Sequence, residues 1–147
     1  MGCRLVRPEL VVLPLSAGDT ITVKQRLSSG EERAMIRRGL SYSATGARTF
    51  DPINGGVAKI LAYLVDWSFQ GLDGARLVIH DQPASVVESA LDLLEPESYS
   101  EILRAIEAHE TAMAAARAAE KKTLTGAPVS SATSPLPAAV AGATSGS

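Results

Sequence analysis

Cysteine is almost missing from this chain: Cys3 is the sole one in 147 residues. That excludes an internal disulfide and a cysteine-based metal cluster, and it suits a reducing compartment. Histidine is nearly as scarce. His80 and His109 lie far apart in sequence and neither has a partner at ligand spacing, whereas zinc needs three or four ligands; both are expected on the solvated surface, and no metal or other cofactor is expected. Aromatic residues make up 4% of the chain, which leaves a core of Leu, Ile and Val around the single Trp67. No apolar run approaches the roughly 20 residues that span a bilayer. Leu10-Val11-Val12-Leu13 is too short for a signal-peptide core, and Val6 stands where a myristoylation signal has Ser or Thr. A cytoplasmic protein with no membrane partner is therefore expected. The formal charge of −2 argues against general attraction to nucleic acid.

Catalytic patterns are equally thin. No serine lies in a Gly-x-Ser-x-Gly elbow, and Cys3 falls on an expected mobile end. Asn54-Gly55-Gly56-Val57-Ala58-Lys59 has the glycines of a phosphate cradle, but Ile60 follows Lys59 where a P-loop has Ser or Thr, so it reads as a glycine-rich helix entry. Asp66-Trp67-Ser68-Phe69-Gln70-Gly71 imitates the start of a calcium-binding loop, but Leu77 occupies the twelfth position, where a bidentate Glu is needed. Arg33, Arg37 and Arg38 make a small basic face without the interleaved aromatics, Tyr42 apart, that stack bases. These readings point to a protein that binds other proteins and not to an enzyme.

What is present predicts an α+β fold: an N-terminal β-hairpin and one further strand packed with four to five helices. Leu10–Leu15 and the alternating Thr20–Lys24 flank the turn residues Ser16-Ala17-Gly18-Asp19, a hairpin with Pro14 at a strand end. Ser28 with Glu31, and Ser29 with Glu32, both fit a capping box before a helix that Gly39 ends. Residues 41–54 read as a loop. From Val57 to Ser68 apolar residues cover nearly the whole circumference of a helix capped by Asn54, with Leu61, Tyr63, Leu64 and Trp67 in the core. Asp66, near that helix's C-terminal end, opposes the helix dipole and calls for an arginine partner. Gly71–Gly74 turns into a strand over Arg76–His80. Asp81 caps a helix carrying Pro83 in its first turn and apolar residues from Val86 to Leu94, and another helix follows Pro96.

Three segments are expected: a mobile N-terminus (1–9), one α+β domain ending in a protruding helix (10–122), and a disordered Ala/Ser/Thr/Pro/Gly-rich tail (123–147), which has no charge. Residues 1–59 carry nine Lys/Arg against five Asp/Glu, and the remainder five against eleven. Such a split favours head-to-tail self-association or a charged partner. The alanine-rich helix after Thr111 has little to bury and can present a face to a partner. The contact residues expected on that helix, from Ile106 through Met113 to Arg117, are Ile106, His109, Glu110, Met113 and Arg117.

The order of "LPLSAGDTITVKQRLSSGEER", "LAYLVDWSFQGLDG", a Leu-rich helix and "EPESYSEILRAIEAHE" resembles the tail assembly chaperones of long, flexible-tailed bacteriophages, over about Leu10 to Lys122. The resemblance implies a non-catalytic protein of the host cytoplasm during infection. It would bind the tape measure protein, assist addition of tail tube protein, and be absent from the mature particle. Members of that family are often made in two lengths by ribosomal frameshifting, and Glu120-Lys121-Lys122 is a tripeptide that an adenine run can encode. The competing expectation is a structural virion subunit, from the tail or the head–tail connector.

Overall fold

Alternation sets the first hairpin. In the computed structural model, which describes residues 2–125, β1 (Leu10–Pro14) pairs antiparallel with β2 (Thr20–Lys24) through a single 3₁₀ turn at Ser16–Gly18. Val11 and Leu13 turn inward while Leu10, Val12 and Pro14 face out, and Ile21 and Val23 are fully buried on the next strand. Pro14 ends an edge strand, where its missing N–H breaks no ladder bond.

Helix α1 (Ser29–Gly39) begins with the capping box at Ser28 and Glu31: the Ser28 hydroxyl accepts from the Glu31 N–H at 3.2 Å, and the Glu31 carboxylate accepts from the Ser28 N–H at 2.9 Å. Of the two overlapping boxes in the sequence, this one is used. Lys24 ion-pairs with the same Glu31, so β2 and α1 are tied at one carboxylate.

Residues expected as a loop instead form a second, two-stranded sheet, β3 (Leu40–Tyr42) with β4 (Arg48–Phe50). Ser43 and Gly46 turn the chain between them: the Ala47 N–H donates to the Ser43 hydroxyl at 3.1 Å, and Gly46 takes a left-handed φ of 83° that suits glycine. Helix α2 (Pro52–Tyr63) follows directly. Its cap is Asp51 and not Asn54: the Asp51 carboxylate accepts from the backbone of Ile53 and Asn54 and from the Asn54 side chain, and Pro52 fills the first position, where no N–H is needed.

The continuous helix expected to Ser68 stops at Tyr63. Leu64–Trp67 is strand β5, which joins β2 on the side opposite β1 to give the order β1-β2-β5. The pairing skips Val65: Val23 faces Leu64, Thr22 faces Asp66 and Ile21 faces Trp67. One residue too many in a strand is a bulge. It turns Leu64 and Trp67, three residues apart, to the same buried side, and so produces in a strand the apolar spacing of a helix.

Arg76–His80 is not a strand. After the turn at Gly71–Gly74 it makes an isolated bridge, Gln70 with Arg76, closed by the Gly71 N–H to the Ala75 carbonyl at 2.8 Å and the Leu77 N–H to the Phe69 carbonyl at 2.9 Å, and the Ile79 carbonyl accepts from the Gln82 N–H at 3.2 Å. Side chains hold it instead. The Trp67 indole N–H donates to the Leu77 carbonyl at 2.8 Å, and Arg76 donates to the Trp67 carbonyl and, at 2.8 Å, to Asp66. The arginine expected beside Asp66 is thus Arg76, although Asp66 lies in a strand and no helix dipole is involved.

Helix α3 (Ala84–Asp92) has Pro83 at its N-cap with no side-chain cap; Asp81 is in the left-handed region (φ 59°) two residues earlier and does not cap it. Helix α4 (Pro96–Thr125) is one helix that takes in residues 123–125, expected at the head of the tail; the rest of that segment lies outside the described residues. Among those residues the four helices and small antiparallel sheets make an α+β protein. The core joins Ile21 and Val23 to Ile60, Tyr63, Leu64 and Trp67, to Ile79, to Val87 and Leu91 of α3, and to Ile102 and Ile106 of α4.

Packing divides the chain into two units, residues 1–110 and 111–147. In the second, the described helical residues 111–123 are exposed except Met113, which is half-buried. Helicity there rests on the intrinsic preference of its alanines.

Candidate functional site

Three glycines decide where the helices of the first unit approach. A β-carbon on Gly39 would stand 3.3 Å from the Gly55 Cα, so the end of α1 meets the start of α2 backbone to backbone. The Phe50 ring covers Gly55, where a β-carbon would lie 2.6 Å from the ring. On Gly56 a β-carbon would lie 3.2 Å from both a Leu103 methyl and the Tyr99 hydroxyl, which brings α2 onto α4. Gly55-Gly56 therefore serves close packing at a helix entry.

Between these contacts an apolar groove of about 460 Å³ remains open. Met35, Ile36 and Gly39 of α1 line it, with Phe50 of β4, Pro52, Gly55 and Gly56 of α2, and Leu103 of α4. Two apolar side chains at its border are well exposed: Ile36 is 55% exposed and Phe50 64%. Singly exposed apolar residues are ordinary; several around one concavity mark a binding surface.

One end is charged. The Lys59 ammonium lies 2.9 Å from Glu110 and 3.6 Å from Glu107, and the Tyr63 hydroxyl donates to the other Glu110 oxygen at 3.3 Å. Burial works against the charge of Lys59, but the hydrogen bond and charge of Glu110, joined by Glu107, outweigh it and hold the ammonium above its ordinary pKa. Glu32, one turn before Ile36 on α1, has no ion-pair partner among the described residues.

The five residues expected to contact a partner fall in three environments. Ile106 is fully buried in the core. His109, expected on the solvated surface, is only 9% exposed: its Nε2–H donates to the Gln25 carbonyl at 3.1 Å, and its ring meets Tyr63 edge-on at 6.2 Å. Glu110 serves Lys59 and Tyr63. These three side chains are therefore committed within the first unit, because the apolar stripe of α4 persists to His109 and keeps that face inward. Met113 and Arg117 lie in the second unit, Arg117 exposed. His80 is on the surface as expected, 3.3 Å from Asp81.

The groove residues Ile36 and Phe50 carry no sequence signal of their own. Among the described residues no three His, Cys, Asp or Glu side chains cluster as metal ligands, and no helix is long and apolar enough to cross a membrane. No family model, no curated protein and no solved structure matches the chain.

Proposed function

We propose that this chain is a non-catalytic tail assembly chaperone of a long-tailed bacteriophage, which binds the tape measure protein and assists tail tube assembly in the infected cell. The observation that carries the reading is the open apolar groove with Ile36 and Phe50 exposed at its border. A surface of that kind shields apolar faces of a client and releases them without chemistry. The sequence resemblance over Leu10 to Lys122 supplies the client's identity. The helix surface around Met113 and Arg117 adds a second exposed element that a client can meet.

Quantitative mass spectrometry of infected cells and of purified particles tests the reading. Abundance in the lysate with near absence from the particle is the expected result. A fixed copy number in the particle would instead assign the chain to the virion as a structural subunit.

A further inference from the structure

We infer that the free edge of β1 pairs antiparallel with the β1 edge of a second copy of this chain, about a two-fold axis at Val11. Two three-stranded sheets then become one of six strands. The inference goes beyond the chaperone reading and stands or falls without it.

Hydrogen-bond direction identifies the free groups. The Leu15 N–H donates to the Asp19 carbonyl at 2.7 Å and the Gln25 N–H to the Glu9 carbonyl at 2.9 Å. In the antiparallel register of β1 and β2 the residues bonded to β2 are therefore Glu9, Val11, Leu13 and Leu15. Leu10 and Val12 point their N–H and C=O groups the other way, and no described residue bonds them. Pro8 and Pro14 hold the next such positions on either side and have no N–H to give. The edge thus offers four bonding groups between two prolines. The other edge of the sheet is covered: Arg76 donates to the Trp67 carbonyl, and the Leu77 N–H to that of Phe69. Strands β3 and β4 are only three residues long, and Arg48 puts charge on their edge, both features that blunt pairing.

A second copy fits this pattern. With Val11 facing Val11 of the partner subunit, Leu10 exchanges both bonds with the partner's Val12, and Val12 with the partner's Leu10, so every free group is used. Pro8 and the partner's Pro14 fall just outside the paired residues. A two-fold at Val12 would instead press each Pro14 ring against the carbonyl of the partner's Leu10. On the outer face Leu10 and Val12, 53% and 61% exposed, become cross-strand neighbours and lose that exposure. Charge does not oppose the pairing. The two Glu9 carboxylates stand four residues of strand apart, about 13 Å, which exceeds the Debye length of about 10 Å at about 0.1 M salt. Lys24, beside Leu10 on β2, is ion-paired with Glu31, and Glu101 is held by Ser16. Arg7 is carried off the strand by the tight turn at Pro8, where the Glu9 N–H donates to the Arg7 carbonyl at 2.8 Å. A foreign strand would satisfy one edge; a second copy satisfies two with one contact. The covered β5 edges are then outermost, so the assembly closes as a dimer and does not grow.

Sedimentation velocity of the full-length protein, loaded from micromolar to millimolar, should show a reversible monomer–dimer equilibrium. Val12→Pro removes one N–H donor from each copy, and Val12→Lys places a charge on the outer face; each should weaken the dimer about tenfold or more. At loadings where the chain is monomeric the melting temperature of both should be nearly unchanged, because proline is tolerated where an edge N–H faces solvent. In a Cys3→Ser background, mild oxidation should join two copies of Val11→Cys by a disulfide and leave Val12→Cys unjoined. A monomer at every loading, a dimer indifferent to both Val12 variants, or species that keep growing past a dimer would overturn the inference. So would a disulfide at Val12→Cys and none at Val11→Cys. A monomer whose Leu10 and Val12 amides slow in hydrogen exchange only when a Thr-Val repeat peptide is added would assign the edge to a foreign strand, and would overturn it too. Copy number in particles bears on the chaperone reading alone.

Discussion

Gly39 and Gly55 stand so close that a β-carbon on the first would lie 3.3 Å from the Cα of the second. The obstacle there is backbone, which cannot step aside. Gly39→Ala should therefore cost about 1–3 kcal/mol, the range of overpacked sites. Gly55→Ala brings a nominally worse approach, 2.6 Å, but to the exposed ring of Phe50. That ring can swing outward, and alanine gains about 1 kcal/mol of helix propensity over glycine. Urea melts of the two variants should rank Gly39→Ala as clearly the less stable. The reverse order would mean that the Phe50 ring is held more firmly than its exposure suggests.

Ile106 and Arg117 should part company in stability. Truncating fully buried Ile106 to Ala should cost about 2–5 kcal/mol, whereas Arg117→Ala on an exposed stretch of helix should stay within about 0.5 kcal/mol. Loss of partner binding in an Ile106 variant would then report unfolding, and only Met113 and Arg117 can test contact by the end of α4. Denaturant midpoints of both variants settle the matter.

The Trp67 indole fixes the Leu77 carbonyl, and no regular ladder holds that segment. Trp67→Phe should cost about 1–3 kcal/mol through the unpaired carbonyl, in addition to the lost volume. It should also loosen residues 75–80 selectively, seen as faster amide exchange there than in β2. Uniform loss of protection across the unit would contradict this local role.

Two carboxylate–lysine contacts give the unit opposite pH limbs. Burial acts to raise the Glu31 pKa, but hydrogen bonds from Lys24 and Ser28 and the Lys24 charge hold it below the ordinary 4.5. A depressed carboxylate stabilises the fold above its unfolded pKa, and that contribution disappears as pH falls below 4.5 through the folded value. Lys59 is held above the ordinary 10.5, so its contribution is complete below that pH and is lost as pH rises through the folded value. Glu31→Gln should flatten the acid limb of a stability–pH profile, and Lys59→Met the alkaline limb. Each variant should leave the other limb in place; a profile unchanged in both would show the pairs to be energetically silent.

Local chemistry was legible in the sequence and long-range pairing was not. The first hairpin and the Ser28–Glu31 box are written in alternation and capping residues a few positions apart. So are the 71–74 turn and the helices after Pro83 and Pro96. The α+β class follows from them; the arginine beside Asp66 was expected from a helix dipole that the strand β5 does not have. In the segment from Val57 to Phe69, by contrast, every residue accepts either a helix or a buried strand. Only β2, some forty residues earlier, decides that the helix ends at Tyr63, because pairing with it satisfies the backbone of Leu64–Trp67. The bulge at Val65 then hides the period of two.

The candidate site divides the same way. With one cysteine, two histidines and no serine in a nucleophile motif, binding was the natural reading. Where a partner would sit depended on which glycines meet. Gly39, Gly55 and Gly56 look in sequence like helix punctuation, and become the floor of a groove once α1, α2 and α4 converge. His109 looked solvated because its immediate neighbours are polar, yet the Gln25 carbonyl, 84 residues away, and the Tyr63 ring bury it. Sequence determines what a few neighbouring residues do to one another. Burial and the groove are properties of surfaces brought together, and those exist only after the chain has folded.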